Sequence, residues 1–294
     1  MKSEFLKPRY WGIWLLLGFI RLAIQLPYPA QLVIGRGMGR VLRAVSRRRW
    51  RITVANLGKC LPELDLAART RLAKAHFDSL GIAFLEFGMC WWGKENNLQK
   101  LGRIEGLEHL HAARAKGHGV ILLCAHFTTL EITGRLLGLH TDLHLMYRPT
   151  ENPLIEAVMR ASRERLFERA IPRQDVRLML KSLKSGKPVW YATDQGYRGK
   201  HSEMIPFFGI PAPTNVATSR LAHASGAPVV PFFAMRLPGA QGYKLVIEPA
   251  LENFPSDDPS ADALRLNQRL EQRIWLAPEQ YLWSHDRFKV VPRD

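Results

Sequence analysis

Gly119-Val120-Ile121-Leu122-Leu123-Cys124-Ala125-His126-Phe127-Thr128-Thr129-Leu130-Glu131 is the stretch from which the fold can be read. Seven small or apolar residues run without a charge and stop at a histidine. An apolar run this short, opened by Gly117 and Gly119, is expected to be a strand buried on both faces, as in a parallel sheet. Thr128 and Thr129 can cap a following helix that continues through Ile132 to Leu139. His126 then ends a strand, and Glu131 stands in the first turn of the next helix. In open α/β sheets the crevice at that edge is where ligands bind.

Outward from this stretch the same alternation repeats. Strands are expected at Leu101 to Glu105, Leu143 to Tyr147, Pro188 to Thr193, Pro228 to Met235 and Lys244 to Glu248. Helices are expected at Leu107 to Lys116, Pro153 to Phe167, Val176 to Leu183, Val216 to Ala224 and Ala261 to Leu276. The fold class is therefore α/β: a mixed, largely parallel sheet flanked by helices. Gly196 to Pro213, rich in Gly and Pro, reads as a long loop after a strand end. Before residue 101 the pattern is helical. Asp65 can cap a helix on which Phe77, Leu80, Phe84, Phe87 and Trp91 form one apolar stripe, either core or the lining of an acyl groove.

Three strand ends carry polar groups: His126, Tyr147-Arg148-Pro149 and Thr193-Asp194-Gln195-Gly196. An imidazole can take a proton from an alcohol, and a carboxylate on its other nitrogen fixes the tautomer and stabilises the imidazolium. Glu131, five residues on across a strand–helix turn, is the carboxylate that spacing suggests for His126. No Ser or Cys nucleophile is then needed. The plainer readings are a histidine closing a strand, a glutamate favouring a helix N-terminus, a surface ion pair at Arg148 and a turn at Asp194. A basic run from Arg160 through Arg163 and Arg177 to Lys184 is either a solvated face or a surface for phosphates.

The chain has 294 residues and a net charge of +16, from 42 Lys and Arg against 26 acids. That balance favours an anionic partner: nucleic acid, anionic lipid or an acidic protein. Aromatic residues cluster in apolar helices rather than along a basic stripe, which argues against nucleic acid. Cys60, Cys90 and Cys124 show no paired spacing and no metal-ligand cluster, so a reducing compartment is expected and no metal. No P-loop or G-x-G-x-x-G motif appears, so no nucleotide cofactor is expected.

Tyr10 to Leu26 is almost wholly apolar, with one charge, Arg21. It is close to the length that crosses a bilayer, and it lacks a signal-peptide cleavage site. A short tilted span, a helix lying in the interface and a buried core helix are all compatible with it. On this basis residues 1–28 are expected to be a membrane-anchoring helix and residues 29–294 the catalytic domain. If the helix spans, the Arg-rich stretch after it puts that domain in the cytoplasm.

The sequence resembles the late acyltransferases of lipid A biosynthesis, in particular the lauroyl-transferring kind, within the lysophospholipid acyltransferase-like group that carries an H-x4-D/E motif. The resemblance rests on His126 to Glu131, Tyr147-Arg148-Pro149-Thr150-Glu151-Asn152-Pro153, Val189 to Gln195, Pro206-Phe207-Phe208-Gly209 and Pro278 to Lys289. It covers essentially the full chain. Thr128-Thr129-Leu130 stands where much of the wider family has Gly-Asn-Trp, and Gly196 follows Asp194-Gln195 where many relatives have an acid.

The resemblance implies a glycerolipid acyltransferase-like fold. The reaction would be transfer of a fatty acyl group from acyl carrier protein to a hydroxyl on a hydroxyacyl chain of a Kdo-bearing lipid A precursor. His126 would be the general base, oriented by Glu131, and Arg148, Asp194 and Gln195 would bind substrate; Arg163, in the basic run, is expected to meet the anionic substrate as well. The implied location is the bacterial inner membrane, on the cytoplasmic side, against an anionic membrane surface. A glycerophospholipid or glycolipid acyltransferase would share His126 and Glu131, and a catalytically silent basic membrane-binding protein remains the alternative outside enzymes.

Overall fold

In a computed structural model of the chain, residues 3–196, 199 and 202–289 are described. Among these, the strands are β1 (Gly102–Glu105), β2 (Val120–Cys124), β3 (His144–Tyr147), β4 (Arg169–Pro172), β5 (Pro188–Ala192), β6 (Ser202–Phe207), β7 (Ile210–Asn215), β8 (Val229–Arg236) and β9 (Tyr243–Ile247). The helices are α1 (Trp11–Ala23), α2 (Tyr28–Val45), α3 (Arg47–Cys60), α4 (Leu66–Trp92), α5 (Glu95–Gln99), α6 (Leu107–Arg114), α7 (Leu130–Leu137), α8 (Pro153–Leu166), α9 (Val176–Lys184), α10 (Ala217–Ser225) and α11 (Pro259–Ile274).

The main sheet has the order β1-β9-β8-β2-β5-β3-β4. β8, β2, β5, β3 and β4 run parallel, and the β8–β9 pairing is antiparallel, so β9 and β1 run the other way. The expected α/β class with a mixed, mainly parallel sheet is what the chain adopts. β2 lies near the middle, and every one of its residues is buried. Its side chains alternate between faces, as the strand period requires. Val120, Leu122 and Cys124 join the core under α4, α6, α7 and α8, while Ile121 and Leu123 join the core under α9 and α10.

Two elements depart from expectation. β4 is a short edge strand where no strand was expected. Within Gly196 to Pro213, read as a loop, β6 and β7 pair as an antiparallel hairpin. Its prolines, Pro206, Pro211 and Pro213, are compatible with pairing because a two-stranded ribbon is all edge. Gly196 is described, and residues 197, 198, 200 and 201 lie outside the described residues.

The N-terminal segment is also corrected. The apolar stretch from Tyr10 to Leu26 is not one long helix. α1 has 13 residues, about 20 Å at the α-helical rise, against a hydrocarbon core of roughly 30 Å. No helix among the described residues is long and apolar enough to cross a membrane. The chain turns back after α1, where Gln31 Nε2 donates to the carbonyls of Ile24 and Leu26. Leu17, Ile20 and Ala23 are buried. A Cβ on Gly88 of α4 would meet Ile20 at 2.3 Å, so α1 packs directly on that helix. Its outer face leaves Leu15, Phe19 and Leu22 exposed, and Leu26 after it is exposed too.

α2 crosses α4 at very close range. A Cβ on Gly81 would lie 2.1 Å from the Gly35 carbonyl oxygen and 2.2 Å from the Gly39 nitrogen. Only glycine permits that approach. α4 itself begins as expected, with Asp65 accepting from the Ala68 amide at 2.6 Å.

Candidate active site

His126 and Asp194 meet because β2 and β5 are neighbours in register, with Cys124 opposite Ala192. Two residues beyond each strand end, His126 Nδ1 lies 2.6 Å from Asp194 Oδ1. The His126 amide donates to both carboxylate oxygens, at 3.0 and 3.1 Å. Burial alone would push the Asp194 carboxyl up. The His126 charge and the bonds from its ring and amide outweigh burial, and the pKa is held below the usual carboxylate value. An ionised Asp194 requires the proton on Nδ1, which leaves Nε2 as the basic nitrogen.

The carboxylate beside His126 is therefore Asp194, not Glu131 as spacing suggested. Glu131 is buried in the first turn of α7 and faces α8. Its two oxygens accept from Arg163 Nε at 3.1 Å and Arg163 Nη2 at 2.7 Å. The same guanidinium stacks over the Tyr147 ring at 5.0 Å. Arg163 was expected to bind substrate, but its side chain is 8% exposed and closed on Glu131. Arg148, at the next strand end, is 61% exposed and lies 3.6 Å from Glu151. Gln195 does share the space beside His126, lining a narrow recess of about 10 Å³ with Asp194, Tyr281 and His285, room for about one water.

The basic run also divides. Arg160 pairs with Glu164 along α8, and Arg177, Lys181 and Lys184 line an open groove on α9. α9 ends at the amino edge of the sheet, where the Gly119 amide bonds to the Leu183 carbonyl at 2.8 Å. That places Lys184 across the sheet from His126, and Lys181 one helical turn before it.

A C-terminal strap, 278–289, closes the site. The Leu282 amide donates to the His126 carbonyl at 2.9 Å, and the Thr128 amide to the Gln280 carbonyl at 2.7 Å. The Gly196 amide donates to His285 Nε2 at 3.1 Å, which holds the turn after Asp194. Burial lowers the His285 pKa to about 4; Asp194 opposes and His126 and Arg287 reinforce that shift. His285 is thus neutral and does not compete for Asp194. α3 anchors the strap in turn: Asn56 Nδ2 donates to the carbonyls of Trp283 and His285, at 2.8 and 2.7 Å. Sequence reasoning gave no role to Asn56, Tyr281 or His285. The strap motif was visible in the family resemblance, but nothing in it indicated contact with His126.

Arg287 is buried 3% exposed at the wall of the recess and bonds to Pro213 and Thr214. Burial pushes the Cys124 thiol well up, so it is a neutral core group. Among the described residues no group of three or more His, Cys, Asp or Glu side chains is arranged to hold a metal ion.

An imidazole base, a buried orienting carboxylate and a confined space at a sheet edge are the parts of a site that activates a hydroxyl. Residues 1–290 match the family described as bacterial lipid A biosynthesis acyltransferase, and the chain belongs to that family. It is 37% identical to the lipid A biosynthesis lauroyltransferase of Escherichia coli (strain K12), over 99% of this chain and 95% of that protein. It is 38% identical to the palmitoleoyltransferase of the same strain, over 98% and 94% of the two chains. The myristoyltransferase of that strain is 27% identical, over 96% and 88%.

Proposed function

We propose that the protein transfers a fatty acyl group, lauroyl or a chain of similar length, from acyl carrier protein to a hydroxyl on a hydroxyacyl chain of a Kdo-bearing lipid A precursor. The observation that carries this reading is the His126–Asp194 pair beside a recess, in a chain that belongs to the lipid A acyltransferase family.

His126 Nε2 takes the proton of the acceptor hydroxyl as its oxygen attacks the thioester carbonyl carbon. Asp194 holds the ring and stabilises the imidazolium that forms. The tetrahedral intermediate collapses, the C–S bond breaks, and the imidazolium returns the proton to the departing thiolate. The products are the ester and the free carrier thiol, with no net proton change. Arg287 contributes positive charge beside the recess, where the oxyanion develops. Glu131 and Arg163 form a buried ion pair that ties α7 to α8 and stabilises the fold rather than taking part in the transfer.

Both substrates in this reading are anionic, which suits a chain of +16. The exposed apolar face of α1 suits a helix lying in the membrane interface, with the catalytic domain on the cytoplasmic side of the inner membrane. Residues 1–28 would then act as an interfacial anchor for the catalytic domain of 29–294.

The test is incubation of purified protein with acyl carrier proteins of defined chain length and the lipid A precursor, followed by mass spectrometry of the lipid. Gain of one acyl group, lost in His126→Ala, is the expected result. No gain with any donor would overturn the proposal.

A further inference from the structure

A groove next to the recess has no part in the His126–Asp194 chemistry. Arg48, Arg51, Ala55 and Lys59 are exposed on α3 and recur at steps of three and four, so they share one helical face. With Asp286 and Phe288 of the strap they line an open groove of about 290 Å³. Asn56 and Phe288 line both this groove and the recess that holds His126. The two spaces therefore share a wall.

Among the described residues, no carboxylate lies within ion-pair distance of Arg48, Arg51 or Lys59. Lys59 Nζ instead lies 5.0 Å over the Phe288 ring. Asp286 leaves the cations in excess. α2, which leads into α3, exposes Val33, Val41 and Val45, at 65, 64 and 72%, with spacings that are multiples of four. This apolar ridge ends at the residues that open α3. An apolar ridge that runs into a row of cations matches a surface that meets lipid chains and charged headgroups together.

We propose that this groove seats the anionic headgroup of the acceptor lipid, through its phosphate or carboxylate groups, while the hydroxyl on the same lipid reaches His126. The proposal deepens the functional reading above and rests on it for the identity of the lipid. An acidic carrier protein is the weaker fit. The groove is concave and near the lower end of small-molecule size, whereas a protein partner covers roughly 800 Å² of surface. The headgroup and the reacting hydroxyl also belong to one molecule and need adjoining spaces, as Asn56 and Phe288 provide.

The experiment compares wild type with Arg48→Glu/Arg51→Glu and with Lys181→Glu/Lys184→Glu on α9 as the remote control. Binding is read by flotation with vesicles carrying the phosphorylated precursor or its dephosphorylated form, and turnover by acyl transfer at low salt. Wild type and the control should prefer the phosphorylated vesicles, and the α3 reversal should erase that preference. The reversal should raise the apparent KM for acceptor about tenfold, the size of a lost charge-assisted contact. Turnover and the KM for acyl carrier should change little. Arg48→Gln/Arg51→Gln provides the same reading should the reversal lower the melting temperature.

A rise in the KM for the carrier instead of the acceptor would overturn the proposal in favour of a carrier-docking surface. Unchanged constants and an unchanged vesicle preference would overturn it in favour of a solvated face. Selective binding that depends on Arg48 and Arg51 in a protein that transfers no acyl group would leave the groove standing and remove the functional reading. Transfer without headgroup preference would do the reverse.

Discussion

Glu131 and Asp194 show how differently two buried carboxylates act when their partners differ. Glu131 is closed on Arg163, with both side chains 8% exposed. Removing one member of such a pair strands the other charge, which costs about 3–5 kcal/mol. Glu131→Ala should therefore unfold at markedly lower denaturant concentration, and Glu131→Leu/Arg163→Leu should recover part of the loss. A neutral effect of Glu131→Ala on unfolding would contradict this assignment. Histidines set the pH response. Burial lowers the pKa of His76 and of His285 to about 4, from 6.5. His76 donates from Nδ1 to the Glu279 carbonyl and leaves Nε2 buried without a partner. Since the folded pKa values are depressed, the unfolded chain takes up protons first as pH falls below about 6.5. Folding stability should decline between pH 6.5 and 4 and level off with respect to these groups below that. Denaturant titrations across that range should show the decline, and His76→Asn should flatten it. An identical slope in His76→Asn would exclude His76 as a source.

At the scale of elements, the α2–α4 crossing is the contact with least room. Gly81→Ala places a methyl 2.1 Å from the Gly35 carbonyl oxygen, so the helices must separate. Overpacking of this kind costs about 1–3 kcal/mol. Part of that loss should appear in activity, since α3 follows α2 and holds the strap through Asn56. A melting temperature and rate equal to wild type in Gly81→Ala would show that the crossing is not as tight as described. The strands that end at His126, Arg148 and Asp194 were legible because each is a short apolar run stopped by polar residues. Their order was not legible. The pairing of β2 with β5 joins residues 68 apart at His126 and Asp194, and nothing local encodes it. Glu131 was the local candidate and lost to a partner set by sheet order. β4 escaped notice because an edge strand of four residues buries too little to leave an apolar run. The β6–β7 hairpin escaped because its prolines imitate a loop. α1 was legible as apolar, but its turn at Gln31 and its burial against Gly88 depend on α2 and α4.

For the whole molecule, the absence of any described helix able to span a bilayer bears on orientation. If α1 lies in the interface, a tag at the N-terminus should be as open to protease added outside inside-out vesicles as the catalytic domain is. Protection of the tag with digestion of the domain would mean that the chain crosses. Replacing Leu15, Phe19 and Leu22 with Gln should move the protein out of the membrane fraction, and full retention would exclude α1 as the docking face. The most direct measurement for the molecule as an acyltransferase is a double-mutant cycle on the rate of acyl transfer. It uses His126→Ala, Asp194→Ala and both together, with Glu131→Leu/Arg163→Leu alongside, all at a temperature where each is folded. Loss of a positioned base removes about 10²–10⁴-fold. His126→Ala should lose a factor of that size, Asp194→Ala a large part of it, and the double mutant scarcely more than His126→Ala, because the two act as one unit. The Glu131/Arg163 replacement should keep most of the rate. Near-normal transfer by folded Asp194→Ala, with the coupling to His126 lost from the cycle, would contradict the pairing on which the mechanism stands.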